Sequence, residues 1–497
     1  MATGKTGSSD SPYDDLISEI ASYAYHYNVQ SERAMQQARV ALLDAIGCVV
    51  ECLKTNQEFT SMVGPVVPGT SVPNGFKLPG TAYQLDPVKG AFDMSSLTRY
   101  LDHNDAFPGA EWGHPSDNLG AILAVSDWQC RTRKSSPGTT HGGPPMTMKT
   151  VLTAMTKAYE IQGCFQIANA FNKVGLDHTI LVKIASTAVV AWLMGLTEAE
   201  AVRALSHAWI DGHPLRIFRQ APNAGPRKGW AAGDATMRAV HLCFLMRAGQ
   251  PGIPTALTDP DWGFQRTSFG GAALQLPRPF KSWVMENVFF KLIPAEGHGI
   301  SAVEAAVQLC AVLSSKGLNA TTDIARIKVR THEAACRIID KRGPLSNAAD
   351  RDHCMRYMLA VVLLKGSIIE TADYSNSSPW AQDPRVESLR QKIDMTEDKQ
   401  FTHDYHYAKK KSAASGLTIE LVDGSMLDEV VVEHPLGHPG RQDTIPAVQN
   451  KFRQNMRLMF QDTEINHIID AVEDDAMLIS DFTDLLVRPE PAKPQAK

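Results

Sequence analysis

A helical hydrophobic period that recurs through about the first 275 residues is the strongest constraint on the fold. In SERAMQQARVALLDAIGCVV, Ser31 is placed as an N-cap, and apolar residues then recur at helical spacing from Met35 to Ile46. The segment LTEAEAVRALSHAWI begins with a capping box, in which Glu200 follows Thr197 three residues later. Because these helices are rich in alanine, which permits close packing, the sequence predicts a large helical bundle.

The hydrophobic period changes after residue 277. The run IARIKVRTHEA alternates apolar and charged residues, as a half-buried strand does. The segment LTIELVDGSMLDEVVVEH contains two strand-like runs around Asp423 and Gly424, which is a strong hairpin signal. Helical spacing returns after RQDTIPAVQNKF. The sequence therefore predicts a mainly α protein, with a helical domain over residues 1–277, a smaller α+β domain over 278–443, and C-terminal helices over 444–497 that rejoin the helical domain.

Charge and hydropathy disfavour several classes of protein. The net charge is −5, from 49 basic and 54 acidic residues that are spread along the chain, so no nucleic-acid partner is expected. No stretch approaches the roughly 18 apolar residues of a membrane span, so no membrane association is expected. The N-terminal MATGKTGSSDSPYDD has no apolar core and no arginine, which predicts a cytoplasmic protein and leaves a mitochondrial location as the alternative.

The sequence indicates neither a metal nor an organic cofactor. Eight cysteines are scattered without a CxxC pair, which disfavours a disulfide frame and an iron–sulfur cluster. The histidines lack the close spacing of a zinc site. The absence of GxGxxG, GxxxxGKS/T and GxSxG motifs disfavours a nucleotide-dependent enzyme and a serine hydrolase.

Titratable residues concentrate in five segments that interrupt the helical pattern. The first, RYLDHNDAFPGAEWGHPSDN, is a loop by its proline and glycine content, and loops commonly carry functional groups. Each candidate also has a structural explanation, because caps, turns and structural hydrogen bonds use the same residue types, and the residues alone leave both explanations open. The candidate residues are Asp102, Asp105 and His114 in this loop, Lys173, Asp177 and His178 in FNKVGLDH, Arg216, Arg219, Asn223, Arg227 and Lys228 in LRIFRQAPNAGPRKGW, Lys291, Glu296 and His298 in FFKLIPAEGHG, and His332, Arg351, His353 and Tyr357 in RTHEAACRIIDKRGPLSNAADRDHCMRYM.

Five motifs together resemble the MmgE/PrpD family over about residues 14–485. They are LDHNDAFPGAEWGHPSDN, FNKVGLDH, APNAGPRKGWAAGDAT, PAEGHGISAVEAA and DKRGPLSNAADRDHC. The family includes 2-methylcitrate dehydratases and cis-aconitate decarboxylases, and these motifs are closer to those of the dehydratases. The resemblance implies a large helical domain, a smaller α+β lid with the active site between them, a homodimer, and chemistry without a metal or organic cofactor.

The resemblance also assigns roles to individual residues. The first motif departs from the family pattern, because Ala106 stands where a threonine is usual and Phe107 where a tryptophan is usual. Ala106 offers no hydroxyl and leaves room for a longer alkyl chain if it faces the substrate. The resemblance implies catalytic roles for Asp102, His114, His178, Lys291 and Tyr357, and substrate-binding roles for Arg227, Lys228 and His298.

The implied reaction is the removal of water from 2-methylcitrate or a related 2-alkylcitrate. The proton beside a carboxylate is weakly acidic, so the reaction needs preorganised cations as well as a general base and a general acid. Histidine and aspartate supply acid–base groups, while lysine and arginine bind the three substrate carboxylates. Three alternatives stay open: a cis-aconitate-type decarboxylase, a biosynthetic dehydratase of longer alkylcitrates, and a non-catalytic binding homologue.

Overall fold

The computed structural model describes residues 12–137, 142–220, 223–407, 410 and 412–489. Residues 1–11, on which part of the cytoplasmic prediction rests, lie outside the described residues. The helices before residue 290 are α1 (Asp15–His26), α2 (Glu32–Thr55), α3 (Gln57–Thr60), α4 (Pro87–Arg99), α5 (Leu119–Ser135), α6 (Met148–Ala168), α7 (Thr179–Leu193), α8 (Glu198–Ile210), α9 (Arg227–Arg247), α10 (Phe264–Ser268) and α11 (Trp283–Glu286).

The second half of the chain contains shorter helices and most of the strands. Its helices are α12 (Ile300–Ser315), α13 (Glu333–Ile338), α14 (Ala348–Arg351), α15 (Met355–Lys365), α16 (Pro384–Gln391), α17 (Lys399–His406), α18 (Thr444–Met456), α19 (Asp462–Glu473) and α20 (Ile479–Leu485). The strands of the described chain are β1 (Phe76–Lys77), β2 (Gln84–Leu85), β3 (Ile324–Thr331), β4 (Ile393–Glu397), β5 (Ser415–Leu421) and β6 (Val430–Val432). This confirms the predicted mainly α fold with a smaller α+β part.

Two helices begin where the local chemistry predicts. The Ser31 hydroxyl oxygen accepts a hydrogen bond from the Ala34 backbone N–H at 3.1 Å, at the start of α2. Before α8, Thr197 and Glu200 form the predicted capping box in both directions. Such caps satisfy N–H groups of the first turn that have no partner within the helix.

Helices α4 and α9 pack closely in the first hydrophobic core. A Cβ atom at Gly233 would lie 2.1 Å from the Ser96 hydroxyl oxygen, and one at Gly229 would lie 2.5 Å from the Tyr100 ring. Only glycine permits backbones to approach this closely. The contact places Lys228, in the first turn of α9, beside the loop that follows α4.

A four-stranded sheet and helices α12 and α15 form the second hydrophobic core. The strand order is β4-β3-β5-β6, in which β3 is parallel to β4 and antiparallel to β5, and β5 is antiparallel to β6. Ile327 and Val329 of β3 are buried, as the alternation predicts. The predicted turn is present at Gly424, whose φ of 84° lies in the left-handed region, but the second strand of the hairpin is only three residues long.

The C-terminal helices pack on the first core. A Cβ atom at Gly47 of α2 would lie 3.4 Å from the Phe452 ring of α18. Val448 and Met456 of α18 belong to the same hydrophobic cluster as α2. This packing supports the predicted return of residues 444–497 to the helical domain, and the boundaries after 277 and 443 stay predictions.

One segment corrects the expectation that no stretch approaches the length of a membrane span. Gly297–Ser315 is 19 residues long with a mean hydropathy of 1.2, which suffices by length and composition. It is also 67% buried inside the structure, where α12 packs in the second core. Such burial is typical of a core helix in a globular domain.

Candidate active site

Asp102 lies at the centre of a buried cluster of charges. Its Oδ1 accepts hydrogen bonds from Arg99 Nη1 at 2.7 Å and from Lys291 Nζ at 2.6 Å. Its backbone is in the left-handed region, with a φ of 53°, which is uncommon for a residue with a Cβ atom and recurs at functional sites. Burial alone would raise the pKa of Asp102, but the positive charges of Arg99 and Lys291 outweigh it and hold the pKa well below its usual range.

Lys291 is fixed through its backbone as well as through its charge. The nearby Phe289 exchanges two backbone hydrogen bonds with Ala106, at 2.7 and 2.8 Å. The Lys291 carbonyl accepts a hydrogen bond from Lys451 Nζ at 2.8 Å, and the same ammonium group donates to the His103 carbonyl at 2.6 Å. Lys451 of α18 therefore ties the segment that carries Lys291 to the loop after α4.

His114 offers an unprotonated ring nitrogen to the cluster. Its Nδ1 lies 2.7 Å from the Asp105 carbonyl oxygen, which can only accept, so Nδ1 carries the proton and donates it. Nε2 is then the basic nitrogen, and it lies 4.0 Å from Asp102 Oδ1. Burial, followed by the positive charges of Arg99 and Lys291, holds the pKa of His114 well below its usual range. The imidazole is therefore neutral at pH 7, as a general base must be.

His178 places a second neutral imidazole beside His114. The two ring centres are 5.7 Å apart, and His178 immediately precedes α7. Its Nδ1 lies 3.7 Å from Asp177 Oδ1, and its buried Nε2 has no hydrogen-bond partner among the described residues. Burial lowers the pKa of His178 to about 3, although Asp177 opposes the shift. Arg219 donates two hydrogen bonds to the Asp177 carboxylate and fixes its position.

Lys228 connects the two hydrophobic cores. From the first turn of α9 it donates to both carboxylate oxygens of Asp352, at 2.7 and 2.5 Å. Asp352 lies in the turn between α14 and α15, and Nδ1 of the adjacent His353 is 2.6 Å from the same carboxylate. Burial lowers the pKa of Lys228, and the negative charges of Asp352 and Asp102 partly offset this shift. The lysine thus binds the carboxylate of Asp352 and, through its charge, helps to lower the pKa of Asp102.

One group of three side chains in the described part of the chain has the spacing of a metal site. Ligand atoms of Asp102, Asp352 and His353 lie within 4.8 Å of one another. However, Lys291 Nζ is 2.6 Å from Asp102 and Lys228 Nζ is 2.5 Å from Asp352. A divalent ion between these oxygens would meet two ammonium groups at short range. The group therefore fits pairing by lysine better than metal binding.

Two neighbouring tyrosines differ in whether their hydroxyl is engaged. Tyr357, the sequence candidate, donates its hydroxyl hydrogen to the Asp373 carbonyl at 2.8 Å. The buried hydroxyl of Tyr374 has no hydrogen-bond partner in the part of the chain that the structure describes. Burial, followed by the negative charge of Asp352 and a smaller effect of Asp102, raises the pKa of Tyr374 well above its usual range. An unpaired buried hydroxyl near these carboxylates is the better candidate to contact a substrate.

A cavity of about 870 Å³ between the two cores adjoins the cluster. Arg219 and His353 connect the cavity to the cluster, because both line the cavity while Arg219 binds Asp177 and His353 binds Asp352. Five cationic side chains on the walls offer hydrogen-bond donors to a small polyanion. The charged side chains that line the cavity are Lys173, Arg216, Arg219, Arg337 and Lys341, against Glu111, Glu296 and Glu333.

His298 lies in the wall of this cavity, where a substrate-binding role needs it. Its Nδ1 is 2.7 Å from Glu296 Oε1, and its Nε2 is 3.0 Å from the Tyr405 hydroxyl. The carboxylate and the hydroxyl fix the orientation of the ring. Both partners also line the cavity, so the polar edge of the site continues from His298 to α17.

Two predicted binding residues make other side-chain or packing contacts than those of the cluster. The Arg227 side chain is 38% exposed, pairs with Asp234 at 3.2 Å, and lies over the Trp230 ring at 4.2 Å. Ala106 is fully buried in the second core, where its backbone pairs with Phe289, and it lines neither the cationic cavity nor the other cavities described. The geometry therefore gives no support to a substrate contact by Arg227 or Ala106.

The structure brings most of the remaining candidates together. Sequence reasoning missed three members of the cluster: Arg99, Asp352 and Tyr374. The first two lie inside the RYLDHND and DRDHC segments, so their position in charged motifs was the available signal, whereas Tyr374 lies in no motif. The predicted residues that meet in the cluster are Asp102, His114, His178, Lys228 and Lys291, with His298 in the cavity wall and Tyr357 one hydrogen bond from the Tyr374 segment.

The fold and the cluster define a mainly helical, two-core enzyme with buried acid–base groups and a cationic cavity for a small polyanion. The chain belongs to the MmgE/PrpD family. Residues 18–277 match the MmgE/PrpD N-terminal domain, and residues 293–475 match the MmgE/PrpD C-terminal domain. This confirms the resemblance that the five motifs indicate.

Similar proteins match the chain over nearly its whole length. It is 56% identical over 490 residues to a 2-methylcitrate dehydratase-like protein of Aspergillus oryzae, with 97% of each chain covered. It is 52% identical over 493 residues to an alkylcitrate dehydratase of a fungal species, with 99% of this chain and 97% of the relative covered. It is 49% identical over 481 residues to the 2-methylcitrate dehydratase of Escherichia coli K12, with 96% and 98% covered.

Proposed function

We propose that this protein removes water from 2-methylcitrate or a related 2-alkylcitrate and yields the 2-alkyl-cis-aconitate. The names of the similar proteins support this reaction. The observation that carries the proposal is the buried cluster, in which Arg99, Lys228 and Lys291 surround two carboxylates beside two neutral imidazoles. Such a cluster combines anion binding with proton transfer.

Cations of the cluster and of the cavity bind the three substrate carboxylates. In the cluster, three cations face the two carboxylates of Asp102 and Asp352, which leaves one positive charge for a substrate. In the cavity wall, Arg216 and Arg219 share the buried Asp177, while Arg337 pairs with Glu333 and Lys341 with Asp350, so a substrate carboxylate would join or replace these partners. Arginine binds carboxylates through two parallel hydrogen bonds, and lysine acts as a point charge. A tricarboxylate that spans the cavity and the cluster neutralises positive charge in both.

His114 is the general base in this proposal. Its Nε2 takes the proton from the carbon beside a substrate carboxylate, and the electron pair of that bond forms the new carbon–carbon double bond as the hydroxyl leaves. Lys291 and Arg99 stabilise the negative charge that develops on this carboxylate. Because their positive charges also lower the His114 pKa, a bound carboxylate that neutralises them makes His114 a stronger base.

Tyr374 is the general acid in this proposal. It gives its hydroxyl proton to the leaving oxygen, which departs as water, and solvent later removes the proton from His114 and returns one to Tyr374. The Tyr374 segment is fixed on both sides, because Tyr357 binds the Asp373 carbonyl and Arg351 binds the Tyr374 carbonyl, each at 2.8 Å. Tyr357 is therefore a positioning residue.

The test is a mass-spectrometric assay of the purified chain with 2-methylcitrate, a long-chain 2-alkylcitrate and cis-aconitate in parallel. We expect loss of one water from at least one alkylcitrate, and no water loss with a His114→Asn variant. Loss of carbon dioxide from cis-aconitate would favour the decarboxylase instead. Binding of a tricarboxylate without any turnover would favour the non-catalytic homologue.

We further propose that the protein works as a homodimer in the cytoplasm. Seven of the eight cysteines are buried, which suits a reducing compartment. Light scattering of the purified chain tests the dimer, with the 54.3 kDa mass of one chain as the reference. Fractionation of cells that express the chain tests the location.

A further inference from the structure

A second cavity adjoins the cationic one and differs from it in chemistry. Its volume is about 370 Å³, and it lies where the two hydrophobic cores meet. Among the residues that the structure describes, one lysine, Lys410, lines this cavity, and it is paired with Asp404 at 2.6 Å and Glu433 at 2.7 Å, so its charge is already neutralised. Apart from this lysine, Asn287 and His438, the lining is apolar, with Phe107, Trp112, Trp283, Phe289, Pro435 and Pro439 as its larger members.

Trp112 forms the partition between the two cavities. Trp112 and Pro108 line both of them. The indole ring lies 5.1 Å from the His298 ring of the cationic cavity and 6.4 Å, edge-on, from the Phe289 ring of the apolar cavity. Its N–H donates to the Tyr405 hydroxyl at 2.8 Å. A Cβ atom at Gly297 would lie 2.6 Å from the indole, so glycine is required for the ring to lie there.

We propose that the apolar cavity binds the alkyl substituent of a 2-alkylcitrate whose three carboxylates occupy the cationic cavity and the cluster. The inference rests on the proposed dehydratase function and specifies its substrate. A polar head joined to an apolar chain needs a charged chamber and an apolar chamber side by side, and these two adjoin at Trp112 and Pro108, where the chain would pass from one to the other. A methyl group is too small to use the second chamber, so the geometry points to a chain longer than methyl.

In this proposal, the residues that line the apolar cavity select the chain length, and Ala106 is not among them. Burial of each methylene of a bound chain is expected to increase kcat/KM about fourfold until the cavity is full. The enzyme should therefore prefer a longer 2-alkylcitrate to 2-methylcitrate. Side chains that reduce the cavity volume should remove this preference and leave the turnover of 2-methylcitrate intact.

The experiment measures kcat/KM for a series of 2-alkylcitrates of increasing chain length with the wild type and with Ala413→Leu. Ala413 is 9% exposed and lines the apolar cavity, so leucine fills part of it. We expect at least a tenfold loss for the longest substrate that the wild type accepts, and a change below about twofold for 2-methylcitrate. Ala413→Val is a milder version that covers the case in which the leucine variant does not fold.

The matched control is Ala235→Leu. Ala235 is 8% exposed and lines a separate cavity of about 190 Å³, so it receives the same added group at similar burial. This control should follow the chain-length profile of the wild type. An unchanged profile in both Ala413 variants, or equal losses for 2-methylcitrate and the longer substrates, would overturn the inference. No water loss from any alkylcitrate with the wild type would instead overturn the proposed function.

Discussion

Replacement of Lys291 by methionine separates the catalytic from the structural contribution of the buried charge cluster. Lys291 is 1% exposed. Two cationic groups donate to Asp102 Oδ1: the Lys291 ammonium at 2.6 Å and the Arg99 guanidinium at 2.7 Å. Methionine keeps most of the side-chain length and removes the charge. Of the cations in the described part of the chain, Asp102 then keeps Arg99 in direct contact.

The magnitude of the loss follows from what remains around Asp102. Removal of one partner from an isolated buried ion pair costs about 3–5 kcal/mol of stability. Because Arg99 still binds the carboxylate, we expect the lower cost of one lost hydrogen bond to a buried group, about 1–3 kcal/mol. Turnover should fall about 10²–10³-fold, because a preorganised charge at the reacting carboxylate is lost.

The double variant Lys291→Met/Asp102→Asn distinguishes the two effects. The neutral asparagine removes the buried carboxylate that loses the Lys291 hydrogen bond in the single variant, so urea unfolding should show stability at least partly restored. Turnover should stay low, because the cation that stabilises the transition state is still absent. If the double variant regained both stability and turnover, the pair would be structural and the assignment of Lys291 to the reaction would be wrong. The Asp102→Asn single variant completes the cycle.

The remaining predictions concern neighbouring residues and conditions. Tyr374→Phe should lower kcat by about 10²–10⁴-fold with little change in KM, while Tyr357→Phe, which only loses a bond to a carbonyl, should lower it less. The pKa of His178 is about 3 in the folded state, below its unfolded value of about 6.5, so the unfolded chain binds more protons between these values and stability falls as pH drops through that window. His178→Asn should therefore reduce the pH dependence of unfolding there by up to about 1.4 kcal/mol per pH unit, measured by urea titration at pH 7 and pH 5. Arg227→Ala should keep kcat/KM within about fivefold of the wild type, since an exposed ion pair is worth about 0–1 kcal/mol. Dialysis against a chelator should leave kcat unchanged, and a loss restored by added metal would contradict the pairing of both carboxylates by lysines.

Local signals in the sequence were enough to predict the helices and the charged loop. Caps such as Ser31 and the Thr197–Glu200 box act within a few residues, and both are present in the structure. The charged loop after α4 was visible as a concentration of titratable groups among prolines and glycines. The pairing of β3 with the distant β4 carries no such local signal, because it depends on how residues 324–331 and 393–397 meet in the folded domain.

The direction of individual side chains was not predictable from motifs alone. Arg227 and Lys228 are consecutive in one motif, but consecutive residues of a helix point about 100° apart, so only one of them can face the cluster. The structure turns Lys228 inward and leaves Arg227 on the surface. Tyr357 lies in one of the five segments rich in titratable residues, yet its hydroxyl donates to a carbonyl. The buried hydroxyl without a hydrogen-bond partner among the described residues belongs to Tyr374, which lies outside these segments.

The closed cluster couples substrate binding to the contact between the two cores. Lys228 needs a carboxylate, because an unpaired charge in such a buried position is costly, and Asp352 of the other domain supplies it. Asp102 and Lys291 of the same cluster are each only 1% exposed. We infer that a substrate carboxylate takes the place of Asp352 on Lys228, so that one charge-assisted contact replaces another. A substrate with a single carboxylate makes that exchange alone, whereas a tricarboxylate also meets the cations that line the cavity, so charge selects a tricarboxylate before shape does.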